Sequence, residues 1–158
     1  MSMGFWVVLV VVAFVIGNVM ALKPKVSDVR LGQMRLFARK IGLNPKLSPT
    51  PTFIATPATA KMMANYTLIN DAWRLPLAEL TIKDGKWHSD TPHPLSGQAI
   101  DHQLSPYFQG LSTKANSICL YWHDEAYVKS FGVRDDTACA AIEQDLQSLK
   151  AYLTRLTL

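Results

Sequence analysis

The 158-residue sequence predicts an α+β fold: an N-terminal transmembrane helix, a basic amphipathic helix, then a small, mostly antiparallel sheet with a long C-terminal helix packed on one face. Three observations predict it. The chain begins with an uncharged apolar run, its middle has short apolar segments separated by turn residues, and its end repeats apolar residues at the helical period. The predicted segments are an anchor (1–22), a basic juxtamembrane helix (23–44), a Pro/Thr-rich linker (45–63) and a cytoplasmic α+β domain (64–158).

The first segment predicts a retained membrane anchor. From Gly4 to Leu22 the sequence has nineteen residues without a charge, and a helix of that length spans roughly 28 Å, close to the ~30 Å hydrocarbon core. Val19-Met20-Ala21 also has the small-x-small pattern of a signal-peptide cleavage site. However, the residues before the run contain no basic side chain, which favours an anchor over a cleaved signal.

The distribution of charge predicts the orientation of this anchor. Residues 23–46 contain seven basic groups and one acidic group, whereas residues 47–158 contain nine basic and eleven acidic groups. Basic residues close behind an apolar segment hold that flank in the cytoplasm. We therefore expect a single-pass protein of the bacterial inner membrane, with its N-terminus outside and its C-terminal domain in the cytoplasm. The residues expected to contact anionic lipid headgroups are Lys23, Lys25, Arg30, Arg35, Arg39 and Lys40.

The same distribution argues against nucleic acid as a partner, since the domain itself is slightly acidic. The two cysteines, Cys119 and Cys139, lie in apolar runs without a C-x-x-C spacing. They are expected to be buried, reduced thiols, as in a cytoplasmic domain.

Small residues of the anchor suggest a helix-pairing face. Ala13, Gly17 and Ala21 recur every four residues, and such a stripe lets two helices approach closely. Asn18 lies beside the stripe and could hydrogen-bond across it. A homodimer is one interpretation; the other is that small residues are simply common in such helices.

The basic segment predicts an amphipathic helix. Pro24 suits a break, Ser27 or Asp28 can cap the new helix, and Gly42 can end it. Its apolar stripe, at about the helical period, consists of Leu31, Met34, Phe37 or Ala38, and Ile41. The stripe can pack against the following domain, while the basic side chains can face a membrane surface.

Several segments of the domain predict defined elements. "MANYTLIN" and "LPLAELTI" predict strands, Asp84-Gly85 predicts a tight hairpin turn into "KWHS", and "NSICLYW" predicts a buried central strand. "SPYFQGLS" and "EAYVKSF" predict short helices. The last helix carries a stripe that favours packing on the sheet, with a coiled-coil seam as the alternative: Cys139, Ile142, Leu146, Leu149, Leu153 and Leu156.

Catalytic residue types crowd together in one place, at His123, Asp124 and Glu125. Because adjacent strand residues point to opposite faces, and acids favour a first helical turn, a structural role is the simpler interpretation. A loose group of His88, His93 and His102 with Asp90 and Asp101 lacks metal-site spacing. No nucleotide, hydrolase or redox motif is present, so we expect no catalytic, cofactor-binding or metal residues and no enzymatic activity.

The passage "MALKPKVSDVRLGQMRLFARKIG" resembles the start of the YajC-type accessory subunit of the bacterial preprotein translocase. Leu22-Lys23-Pro24 matches that family's step after the membrane helix, and Arg30, Arg35, Arg39 and Lys40 match its basic helix. The resemblance covers residues 1–42 and implies an accessory role beside a membrane complex. Beyond Gly42 the family's Gly-Gly segment is missing, and the remainder looks like uncharacterised small bacterial inner-membrane proteins.

The sequence therefore predicts a single-pass membrane-anchored adaptor or accessory subunit, whose cytoplasmic domain binds a protein partner or membrane complex. Two alternatives stay open: a membrane-tethered enzyme with a site near His123, Asp124 and Glu125, and a dimeric membrane scaffold.

Overall fold

The computed structural model describes residues 3–21, 24–54 and 62–157. The helices are α1 (Met3–Ala21), α2 (Val26–Lys40), α3 (Asp124–Lys129) and α4 (Ala138–Arg155). The strands are β1 (Leu43–Pro49), β2 (Met62–Ile69), β3 (Ala78–Lys83), β4 (Lys86–His88), β5 (Phe108–Lys114) and β6 (Ser117–Trp122). This is an α+β architecture, as the sequence predicts.

Helix α1 is long and apolar enough to cross a membrane. Its large apolar side chains are exposed on every side, and the described part of the chain covers none of them. A helix that is apolar all round has no polar face to turn toward water. By length and composition α1 is therefore a candidate membrane-spanning helix.

The six strands form one sheet in the order β1-β2-β6-β5-β3-β4, and every neighbouring pair is antiparallel. The apolar run of β6 lies at the centre, as expected for a strand flanked on both edges. The hairpin between β3 and β4 is also confirmed, because Asp84 and Gly85 both adopt positive φ (51° and 70°), which a two-residue turn of this kind requires.

The core lies between one face of the sheet and the helices α2, α3 and α4. Tyr66, Leu120 and Leu111 stand side by side on this face in neighbouring strands and are fully buried. From α4, Leu146, Leu149 and Leu153 are fully buried. The C-terminal stripe therefore packs within the domain and is not free to form a coiled-coil seam while the domain is folded.

The opposite face of the sheet is partly covered by the connection that leaves β1. The ring of Phe53 meets Tyr121 edge to face, with centroids 5.8 Å apart. A Cβ at Gly110 would lie 3.0 Å from Ile54 and Phe53, so the absence of a side chain there allows this close approach.

The predicted boundaries of the basic helix and the linker need correction. Helix α2 begins after Lys25, without a side-chain cap from Ser27 or Asp28, and it ends at Lys40. The predicted linker (45–63) starts inside strand β1, which continues to Pro49. Prolines are compatible with this strand because it lies at the edge of the sheet, where one side needs no hydrogen bonds.

Two further expectations were wrong. "SPYFQGLS" contains only one short 3-10 turn, Ser105–Tyr107, before the chain enters β5. Its strand pattern is hidden by a bulge between Phe108 and Gly110. The cysteines are not both buried: Cys139 is exposed on α4, and Cys119 is half-buried on the outer face of the sheet. Burial raises the pKa of the Cys119 thiol, which keeps it protonated.

Candidate functional site

The three residues of the enzymatic alternative, His123, Asp124 and Glu125, lie where β6 passes into α3, and their side chains are in different environments. Asp124 is 2% exposed, whereas His123 and Glu125 are exposed. Glu125 lies 3.5 Å from Lys129 one turn along the helix, an exposed pair of the kind that contributes little. The trio therefore combines one buried and two solvated groups.

The carboxylate of Asp124 is fully engaged inside the domain. Arg35 of α2 donates two hydrogen bonds to it, at 2.9 and 3.2 Å, and the Tyr66 hydroxyl donates a third at 3.3 Å. Burial, and then the negative charge of Asp124, raise the pKa of Tyr66 well above its usual value, so the phenol remains a donor. Both carboxylate oxygens thus accept hydrogen bonds from side chains of the domain.

This buried cluster joins three elements, because Arg35 belongs to α2, Tyr66 to β2 and Asp124 to α3. Burial by itself would lower the pKa of Arg35, but the hydrogen bonds and charge of Asp124 raise it. Because Arg35 and Tyr66 both donate to Asp124, these three side chains attach α2 to the sheet. We call Arg35, Tyr66 and Asp124 the α2 clasp.

The histidines expected to lie in loops do not converge on a metal site. Within the described residues no group of three or more His, Cys, Asp or Glu side chains could hold a metal ion. His88 approaches only Asp90, at 3.5 Å, and the Nδ1 of His93 accepts the backbone N–H of Leu95.

His102 lies beside Ser148, with Nε2 and Oγ 3.2 Å apart. Its Nδ1 accepts the N–H of Leu104 at 3.1 Å, so the neutral ring carries its proton on Nε2 and donates it to the serine oxygen. A serine that accepts this proton is not being activated as a nucleophile. Burial lowers the pKa of His102, which favours the neutral ring.

The six basic residues predicted to contact lipid separate into distinct groups. Lys25, directly before α2, and Arg39 and Lys40, at its end, are exposed. Arg35 belongs to the α2 clasp, and Arg30 donates to the carbonyls of Gly132, Val133 and Asp135, at 2.7, 3.2 and 2.9 Å. Lys23 lies outside the described residues. For Arg30 and Arg35 the structure thus provides partners within the domain itself.

Sequence reasoning missed the exposed apolar residues of the same helix. Val26, Val29 and Leu36 are 44%, 45% and 65% exposed, on the side opposite the buried Met34 and Ala38. Their spacing of three and seven residues follows the helical period. That second stripe was visible in the sequence, but the stronger stripe through Met34 concealed it.

The predicted helix-pairing residues lie on α1, where a Cβ at Gly17 would meet nothing within 4 Å. Asn18 donates to the carbonyl of Phe14 in the same helix at 3.0 Å. The side chain of Ala21 lies outside the described part of the structure. Pairing through Ala13, Gly17, Asn18 and Ala21 stays a prediction.

A cleft of about 320 Å³ lies beside the start of α3. Leu47 and Met62 line it and are each about half exposed, at 51% and 55%, and the buried Trp122 also contributes to its wall. Glu125 and Lys129 provide charged groups at the same cleft. The cleft therefore combines half-exposed apolar side chains with two exposed charged groups.

Comparison with protein-family models, with curated proteins and with solved structures gives no match for this chain. The resemblance of residues 1–42 to the YajC-type translocase subunit therefore stays a prediction.

Proposed function

We propose that the chain is a single-pass membrane-anchored adaptor or accessory subunit, whose domain binds a protein partner or membrane complex. One observation carries the proposal: an uncharged, fully exposed α1 is followed after residues 22–25 by α2, whose own side chains complete the core of the domain. The five residue steps from Ala21 to Val26 reach at most about 18 Å. The domain is thus held directly against the end of its anchor.

The proposed orientation places the N-terminus outside and the domain in the cytoplasm of the bacterial inner membrane. Lys25, Arg39 and Lys40 are exposed close behind α1, and Asp28 is the sole acidic residue of α2. Basic groups in this position resist transfer across the membrane during insertion.

Binding is favoured over catalysis by what surrounds the candidate groups. The carboxylate of Asp124 accepts hydrogen bonds from Arg35 and Tyr66, whereas the adjacent cleft exposes Leu47 and Met62 to solvent. Half-exposed large apolar side chains beside a buried tryptophan are typical of contact surfaces. We propose that this cleft receives an apolar side chain of the protein partner.

The test combines topology with capture in intact cells. A reporter fused after Leu158 reads the side of the membrane, and a photo-crosslinking residue at Leu47 reads the partner. The matched control carries the crosslinker at Lys83, an exposed residue on β3, which lies near the edge of the sheet opposite β1. We expect a cytoplasmic reporter and one dominant membrane protein captured from Leu47 but not from Lys83.

Other outcomes would contradict specific parts of the proposal. An exported reporter would refute the orientation. Equal capture from both positions would refute the cleft as the partner site. Capture of a second copy of this chain alone would favour the dimeric scaffold over the adaptor.

A further inference from the structure

The outer side of α2 carries an apolar stripe that the domain leaves uncovered. At about 100° per residue, Val26, Val29 and Leu36 fall within roughly 80° of one another around the helix. All three are substantially exposed, while Met34 and Ala38 on the inner side are 1% and 0% exposed. The helix is thus apolar on two sides, and only one of them is used by the domain.

Basic side chains share this outer side. Lys25, Arg39 and Lys40 are exposed, and by the same geometry they fall within one half of the helix circumference together with the apolar stripe. Asp28 is the one acidic residue in this half, so the basic groups outnumber it three to one. Apolar residues flanked by lysine and arginine are the pattern of helices that lie in the headgroup region of a membrane. The charge complements anionic phospholipid.

A neighbouring loop extends the same surface. The three carbonyls bound by Arg30 belong to the loop after α3, so this arginine positions the loop against α2. Val133 in that loop is 74% exposed and lines a shallow groove together with Lys25 and Val26. The apolar surface therefore continues from the first turn of α2 onto Val133.

We propose that this surface, formed by Val26, Val29, Leu36 and Val133 with Lys25, Arg39 and Lys40, lies on anionic phospholipid headgroups and holds the domain flat against the membrane. The inference rests on the proposed anchoring by α1. Continuity identifies the occupant: the stripe begins within about 18 Å of the end of a helix suited to a bilayer. The bilayer around α1 is always this close to the stripe, whereas a protein partner is not.

The experiment uses the full chain reconstituted in vesicles of phosphatidylethanolamine and phosphatidylglycerol. In a background of Cys119→Ser and Cys139→Ser, an environment-sensitive fluorophore is attached at Leu36→Cys. The control label is attached at Lys86→Cys in β4, five strand spacings from β1 and thus roughly 24 Å across the sheet. We expect lipids that carry a quencher to quench the label at residue 36 and to leave that at residue 86 unaffected.

Charge-reversal variants test whether the basic side chains contribute to the contact with anionic lipid. Reversing Lys25, Arg39 and Lys40 to glutamate should release the Leu36→Cys label from the surface, since each basic group strengthens such contact about fivefold. The matched control reverses Lys83, Lys86 and Lys114, which are exposed elsewhere, and should leave quenching unchanged. Equal quenching in phosphatidylcholine vesicles would overturn the role of anionic lipid.

The design separates this inference from the anchoring on which it rests. Extraction of the chain by alkaline carbonate would refute anchoring by α1. A chain that resists extraction, while its label at residue 36 is as unquenched as that at residue 86, would overturn the lipid-contact surface alone. Circular dichroism of each variant establishes that the domain is folded when the label is read.

Discussion

Arg35→Ala is expected to destabilise the domain more than any surface substitution, because it breaks the α2 clasp from its more accessible side. The side chain of Arg35 is 23% exposed and that of Asp124 only 3%. Removing the arginine leaves a buried carboxylate with Tyr66 as its one remaining donor. We expect a loss of about 3 kcal/mol in the free energy of unfolding, in the range for an uncompensated buried charge.

Asp124→Ala should lower the free energy of unfolding less than Arg35→Ala does. In Asp124→Ala the arginine can turn toward water, and the main cost is the unpaired hydroxyl of Tyr66, which is fully buried. That loss is about 2 kcal/mol. The double variant should be more stable than Arg35→Ala, because it removes the carboxylate that the single variant leaves buried and unpaired. Such non-additivity is the signature of a direct interaction.

The assay is urea unfolding of the full chain in lipid nanodiscs, followed by circular dichroism and by tryptophan fluorescence. Trp122 is a suitable reporter because its ring lies 5.1 Å from that of Tyr66. Lys129→Ala is the matched control, since it breaks the exposed pair with Glu125 and should cost at most about 0.5 kcal/mol. If Arg35→Ala costs no more than this control, the clasp does not hold α2 on the domain.

Two further predictions concern pH and backbone conformation. Since burial lowers the pKa of His102, the unfolded chain binds more protons as pH falls through about 6.5, and stability should decline there. His102→Gln should reduce this decline in urea titrations, and an unchanged pH dependence of stability in this variant would contradict the reasoning. Gly85→Ala should lower the free energy of unfolding by about 1 kcal/mol, because the φ of Gly85 is +70°. Gly32→Ala should raise it by about 1 kcal/mol, because Gly32 lies on α2 with open space around it. Equal effects of the two alanines on the unfolding midpoint would contradict this reasoning.

Local patterns were sufficient for the elements whose signal is contained in their own residues. The apolar run of α1, the stripe of α4 and the Asp84-Gly85 turn each specify a structure through periodicity or allowed φ. Strand β6 was also predictable, because a continuous apolar run of that length needs cover on both sides.

Patterns failed where neighbours determine the conformation. In β5 the alternation is interrupted by the bulge before Gly110, so the segment reads as irregular until it is paired between β6 and β3. In β1 the prolines indicate a linker, yet the edge of a sheet accepts them. Both strands depend on hydrogen bonds to distant parts of the chain.

The functional interpretation shifted for the same reason. From sequence, Arg35 was a lipid-facing group and Asp124 a candidate acid or helix cap; they are 89 residues apart and pair inside the domain. No local pattern encodes a contact of that separation. Conversely, the stripe of Val26, Val29 and Leu36 could be recognised as a separate surface only because the structure buries the other side of α2 in the domain.

The sequence by itself determined that the chain has one apolar helix fit for a membrane, a basic segment behind it and an α+β domain, because composition and short-range periodicity carry that information. Only the tertiary structure decided which basic side chains are used internally and which are left at the surface. Burial and charge pairing are properties of distant residues brought together, and they assign Arg30 and Arg35 to the domain while leaving Lys25, Arg39 and Lys40 free to face a membrane.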